Sequence, residues 1–147
     1  AELYSCGSHP LLDPLWSTEN VAFVHDGCEA NRLQKIRAIA QSPLLLDAVR
    51  VCIADDAPGT YNCGRCEKCL RTMVGLWIAG ALERSGAFPH EIELDLLRNL
   101  QMKHRVQLGF WEDLALHLGD SAKDREIKEA ITKALKPFEA NPGALPA

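Results

Sequence analysis

The sequence lacks any apolar run of the roughly 18 residues that a membrane span requires. It also lacks a basic N-terminal segment followed by an apolar one, which a secretory signal would show. Neither of the glycine-rich phosphate loops, Gly-x4-Gly-Lys-[Ser/Thr] or Gly-x-Gly-x-x-Gly, is present. These absences argue against a membrane protein, predict a cytoplasmic location and leave the chain without a motif for nucleotide phosphates.

The sequence also lacks a strong positive charge. It contains 16 Lys and Arg and 20 Asp and Glu, which gives a net charge of −4. The middle of the chain, 31–87, is mildly basic, with eight bases against five acids. Proteins that bind nucleic acid by neutralising phosphates usually carry a much more basic face. The charge pattern therefore argues against a nucleic-acid partner and leaves room for a single anionic ligand.

The chain has 147 residues, of which 47% are hydrophobic and 24% charged, so it can bury a substantial core. Short apolar runs at 21–25 and 49–53 are typical of buried strands. Apolar periodicity and capping residues predict helices at 31–41, 43–48, 66–82, 91–102, 106–118 and 122–136. The predicted fold class is therefore α/β, mostly helical, with an all-helical C-terminal part.

Six cysteines are present, and three of them fall within seven residues, as Cys63-x2-Cys66-x2-Cys69. Together with Cys52 upstream they predict a closed, structural Zn²⁺ site, because such a site takes four thiolates about 2.3 Å from the ion. Gly64 allows a tight turn between the first two ligands, and the electropositive start of the following helix favours thiolates. An iron–sulfur cluster is the alternative, since ferredoxins also use Cys-x2-Cys-x2-Cys.

The remaining cysteines, Cys6 and Cys28, are predicted to be ordinary buried residues. In the absence of a visible secretory signal, we expect a reducing compartment, where a disulfide framework is not formed.

A strand-ending Cys52, a loop, Cys63-Gly64-x-Cys66-x-x-Cys69 and an amphipathic helix resemble the C-terminal half of the PP-loop ATP pyrophosphatase family. Within that family the layout is most similar to the queuosine-pathway 7-cyano-7-deazaguanine synthases and their uncharacterised bacterial relatives. The resemblance covers roughly residues 1–85 and includes the capped helix at 31–41. It implies a Rossmann-like α/β part over 1–87 that carries the zinc site. The remaining residues lie outside the resemblance, and their apolar periodicity and their Pro- and Gly-containing end predict a helical extension over 88–140 and a flexible tail over 141–147.

The chemistry that the resemblance implies is adenylation, in which ATP and Mg²⁺ activate a small-molecule carboxylate and pyrophosphate leaves. The family's Ser-Gly-Gly-x-Asp-Ser loop is absent from this sequence. We therefore expect a missing N-terminal ATP-binding portion, or a partner chain that supplies it, and no activity from this chain alone. A zinc-stabilised binding or assembly module without catalysis is the alternative.

A stiff, proline-rich loop near the start contains Ser8, His9 and Asp13. A loop that follows a strand end is where α/β sheets place ligands, so these three are candidate substrate-binding residues. The alternative is a plain connection in which Asp13 accepts backbone N–H bonds. His25 and Asp26 are not expected to form an acid–base pair, because adjacent residues of a strand point to opposite faces.

A basic cluster, Arg65, Lys68 and Arg71, lies beside the predicted zinc site. Such a cluster either offsets the negative charge of four thiolates around Zn²⁺ or holds an anionic ligand, and the sequence supports both interpretations.

Overall fold

The computed structural model describes residues 9–53 and 61–139, and within them every regular element is a helix. Short 3₁₀ turns lie at Asp13–Trp16 and Leu82–Arg84. The α-helices are α1 Arg32–Ile39, α2 Pro43–Ala48, α3 Glu67–Ile78, α4 Leu94–Arg98, α5 Val106–His117 and α6 Ala122–Glu139. The predicted all-helical C-terminal part is thus confirmed over 88–139.

The predicted α/β fold class is wrong for the described residues, because neither 21–25 nor 49–53 forms a strand. Val21 and Phe23 donate their N–H groups to the hydroxyls of Thr18 and Ser17 instead of to a neighbouring strand. Ser and Thr side chains can satisfy nearby backbone groups in this way and so compete with a sheet. Without a sheet, the Rossmann-like part that the resemblance implies is also overturned.

Helix starts follow the predicted capping residues. Asn31 Oδ1 accepts from the Gln34 N–H at 2.8 Å, and Gln34 Oε1 accepts from the Asn31 N–H at 2.7 Å, which completes the capping box of α1. At α2, Ser42 Oγ accepts from the Leu45 N–H, and Pro43 occupies the first helical position. At α6, Ser121 Oγ accepts from the Asp124 N–H at 3.1 Å. Capping residues therefore located these starts to within one residue.

The end of α3 comes four residues before the predicted one. Gly80 adopts a positive φ of 63°. The Ala81 N–H donates to the Leu76 carbonyl at 2.8 Å and the Gly80 N–H to the Trp77 carbonyl at 2.9 Å. This pair of bonds around a left-handed glycine is a Schellman motif, which stops the helix and satisfies its last carbonyls.

The core is built around α3, which contacts α1, α5 and the turn at Leu82–Arg84. Every residue of α3 from 69 to 76 is buried, so the helix is enclosed on all sides and not on one face only. A second layer is formed by α6, which packs on α4 and α5. Its buried stripe consists of Ile127, Ala130, Ile131, Ala134 and Leu135.

Candidate metal centre

The four clustered cysteines come from three adjoining pieces of chain. Cys52 ends the segment that follows α2, Cys63 lies in the turn before α3, Cys66 is the N-cap of α3, and Cys69 lies in its first turn. Cys52 and Cys69 are buried, while Cys63 and Cys66 are partly exposed. The site therefore sits at the N-terminal end of the most deeply buried helix.

The sulfur atoms have the spacing of a tetrahedral single-ion site. All four Sγ atoms lie within 4.8 Å of one another. The Sγ atoms of Cys52 and Cys66 are 3.8 Å apart, as are those of Cys63 and Cys69. Four ligands at about 2.3 Å from one ion form a tetrahedron whose edges measure about 3.8 Å. The cysteines are free thiols at these distances and not disulfides, whose sulfurs lie about 2.05 Å apart.

Backbone N–H groups point at the sulfurs. The Cys66 and Arg65 N–H groups donate to Cys63 Sγ at 3.3 and 3.5 Å. Gly64 makes this turn possible with a φ of +71°, and a Cβ on it would lie 2.6 Å from Pro89 Cγ. Donors of this kind stabilise sulfur carrying negative charge, so the turn suits thiolate ligands.

Burial raises the pKa of the Cys66 thiol and, more strongly, that of the Cys69 thiol. The N–H groups of Cys69 and Gly64, respectively, act in the opposite direction. Since burial dominates, these sulfurs keep their protons unless a cation lies among them. A metal that binds here must therefore displace protons from the thiols.

Asn62 fixes the segment that ends at Cys52. Its buried carboxamide accepts from the N–H groups of Val51 and Cys52 at 2.9 and 3.2 Å. It also donates to the carbonyls of Val49 and Ala87 at 2.9 and 3.1 Å. One side chain thus makes the bonds that a neighbouring strand would have made. The sequence prediction placed Asn62 in a loop, and a lone Asn beside a cysteine has no periodicity that would have revealed this role.

The first turn of α3 is tied to α5 by a polar network that the sequence analysis missed. Glu67 Oε1 accepts from Trp111 Nε1 at 3.1 Å and lies 3.4 Å from Arg71 Nε. The Arg71 guanidinium is buried and stands 4.5 Å from the centroid of the Phe110 ring. Burial lowers the pKa of Arg71, and Glu67 opposes that shift. Of the predicted basic cluster, Arg71 is therefore buried in the core, whereas Arg65 and Lys68 are exposed.

Of the other predicted site residues, His9 and Asp13 are not part of the cysteine cluster. Ser8 is outside the described residues. Asp13 Oδ1 accepts from the His9 N–H at 2.8 Å, as the plain-connection alternative expected, and Asp13 Oδ2 lies 2.7 Å from His25 Nδ1. The partner of His25 is thus Asp13 and not its neighbour in sequence. A role for Ser8, His9 and Asp13 in substrate binding stays a prediction.

Of the two cysteines predicted to be ordinary buried residues, Cys28 is exposed, so that prediction is wrong, and Cys6 lies outside the described residues. Cys28 stands apart from the four clustered thiols. It therefore offers a matched control for substitutions at the cluster.

Comparison with protein-family models, curated proteins and solved structures finds no match for this chain. None of the helices in the described part is long and apolar enough to cross a bilayer. The geometry of the cysteine cluster is therefore the main indication of what this protein does.

Proposed function

We propose that the four cysteines form a structural zinc centre and that the chain is a zinc-stabilised helical module. The observation that carries this proposal is the tetrahedral spacing of the four sulfurs, with two pairs at 3.8 Å and all within 4.8 Å. The ion would link Cys52, at the end of its extended segment, to the start of α3.

The donor set supports zinc in a closed site. Four thiolates complete the coordination of Zn²⁺, and catalytic zinc sites keep one position open for water or substrate. The thiolates of an iron–sulfur cubane bind different irons, so they must stand farther apart than ligands of one ion. The 3.8 Å pairs therefore favour a single ion, zinc before iron.

Elemental analysis of the purified chain tests the choice of metal. We expect about one zinc per chain and little iron, because one tetrahedral site is present among the described residues. A brown protein with stoichiometric iron would show that the site binds iron and not zinc.

A pair of serine variants tests the structural role. C69S should lose the metal and destabilise the fold by several kcal/mol, less than the 10 kcal/mol or so that zinc binding contributes in isolated zinc peptides. C28S, which changes an exposed cysteine outside the cluster, should leave metal content and melting temperature unaltered. A C69S protein that unfolds like the parent would show that the metal does not hold the fold.

A second candidate is that this module is the zinc-bearing part of a PP-loop adenylating enzyme. The spacing of the four cysteines supports it, as do the large apolar side chains left exposed over 11–24, which another part of a longer protein could cover. ATP, Mg²⁺ and a carboxylate substrate would then bind to an N-terminal portion or a partner chain.

The upstream coding sequence decides between the two candidates. A Ser-Gly-Gly-x-Asp-Ser motif in the same reading frame supports the adenylating enzyme. A start codon directly before Ala1 supports the stand-alone module, because the chain would then contain no phosphate loop of that family.

A further inference from the structure

A cleft of about 660 Å³ lies between the first turn of α3, the end of α4 and the connection 99–105 that leads to α5. Ligand pockets for small molecules commonly measure about 300–1,000 Å³. Cys66 borders the cleft, so one wall is shared with the cysteine cluster. The cluster points its four sulfurs at one another, and the cleft is a separate space outside them.

The walls of the cleft are mostly apolar. Leu70, Leu96 and Leu100 supply most of its apolar lining, and Leu70 and Leu100 also belong to the core, which fixes them in place. Ile53 stands at the rim with 77% of its surface exposed. A ligand in the cleft would cover this exposed side chain, which favours a ligand with an apolar body.

The charged groups of the cleft are mostly cations. Arg65, Lys68 and Lys103 line it together with one acid, Glu67. The Glu67 carboxylate is already engaged with Trp111 and Arg71, and Arg65 pairs weakly with Glu93 at 3.5 Å. Within the described residues, neither Lys68 nor Lys103 has a carboxylate within ion-pair distance. Lys68 and Lys103 therefore line the cleft without a carboxylate partner among the described residues.

The wall that carries Lys103 is held by hydrogen bonds. Gln107 Oε1 accepts from the N–H groups of Lys103 and His104 at 2.7 and 2.9 Å. This bond pair anchors the connection to the first turn of α5. Lys68 is carried by α3 and Lys103 by this anchored connection, so little backbone ordering would be needed for a ligand to bind beside them.

We propose that this cleft binds a small organic anion, with an apolar or aromatic body against the leucines and an acidic group between Lys68 and Lys103. Lys68 also lies close in sequence to the cysteine ligands, where a cation offsets the charge of four thiolates. Lys103 comes from a different part of the chain and has no cysteine ligand near it in sequence. The cleft and its ligand do not depend on which metal the cysteines hold.

The test uses the full chain with its native metal and two probes of nearly identical shape. Anilinonaphthalene sulfonate carries the acidic group, and the uncharged phenyl-naphthylamine lacks it. We expect saturable binding of the sulfonate, with amide NMR shifts concentrated at 65–70 and 96–107. The uncharged probe should bind more weakly. Shifts concentrated at the exposed apolar residues of 11–24 would overturn the assignment.

Matched lysine variants separate the cleft from general electrostatics. K68Q/K103Q should bind the sulfonate about fivefold more weakly, as expected for the loss of two exposed ion pairs, with the uncharged probe unaffected. K103Q alone should show about a twofold loss with metal content unchanged. The control K128Q/K133Q removes the same charge from exposed positions of α6. An equal loss in this control, or no loss in K68Q/K103Q, would refute the proposal.

Discussion

At the scale of single residues, Asn62 holds four backbone groups of two chain segments with one carboxamide. Its Oδ1 accepts two hydrogen bonds and its Nδ2 donates two, so the hydrogen-bonding capacity of this buried side chain is satisfied. Only an amide supplies acceptors on one side and donors on the other, because a carboxylate has no hydrogens to donate.

Replacing Asn62 with Asp should therefore destabilise the fold by about 2–4 kcal/mol, since two buried carbonyls lose their donors and face a carboxylate. The free energy of unfolding from denaturant titration measures this loss. N99D is the matched control, because Asn99 is exposed and makes one side-chain bond, to the Asp95 carbonyl. An N62D protein that loses no more stability than N99D would show that Asn62 is not a structural support.

Two carboxylates near the cysteines show how burial changes the effect of an ion pair. Glu67 is 11% exposed and faces Arg71 in the core, whereas Glu93 is 55% exposed and pairs with Arg65 at the surface. Removing one partner of a buried pair leaves the other charge without compensation, which costs about 3–5 kcal/mol. We expect E67Q to lose stability on that order and E93Q to lose under about 1 kcal/mol. Thermal unfolding of both variants provides the comparison, and similar losses would contradict it.

At the scale of helices, capping residues and apolar periodicity were sufficient to predict α1, α2, α5 and α6 from the sequence. The cysteine cluster was also predictable, because short spacings around a helix start bring thiols together. The two strands were predicted wrongly, since a five-residue apolar run has too little length to distinguish a strand from a packed loop. What decided those segments was hydrogen bonding by Asn62, Ser17 and Thr18, which leaves no periodic signal.

Chelation should loosen the elements unequally. The segments 49–53 and 61–66 are tied together by the cysteines and by Asn62, whereas α6 is held by a buried apolar stripe against α4 and α5. Removing zinc with a strong chelator should therefore raise amide hydrogen exchange first at 49–53 and 61–66, with α6 still protected. Unchanged protection of these segments after verified metal removal would show that the metal does not hold them.

At the scale of the whole molecule, the candidate metal centre and the core meet at α3. This helix carries Cys66 as its N-cap and Cys69 in its first turn, and its residues from 69 to 76 are all buried. Metal binding and folding should therefore be coupled. Because metal binding depends on pH, the stability of the metal-loaded fold should depend on pH too.

The stability difference between the zinc-loaded and metal-free chains should widen as pH rises from about 5 to about 9. In the metal-free fold, burial raises the pKa of the Cys66 and Cys69 thiols above the ordinary 9.0, so alkaline pH favours the unfolded state, where these thiols ionise more easily. In the loaded fold the sulfurs are thiolates, and acid destabilises it because protons compete with the ion. Each displaced proton changes the difference by about 1.4 kcal/mol per pH unit.

Melting temperatures of the two forms across this pH range measure the effect. C69S in the presence of added zinc is the control, because with one ligand missing its stability should no longer show the acid dependence of the loaded chain. A constant difference between loaded and metal-free protein would mean that the bound ligands are not thiols that ionise on binding. The metal would then have to lie elsewhere than among Cys52, Cys63, Cys66 and Cys69, and the spacing of these sulfurs would have another cause.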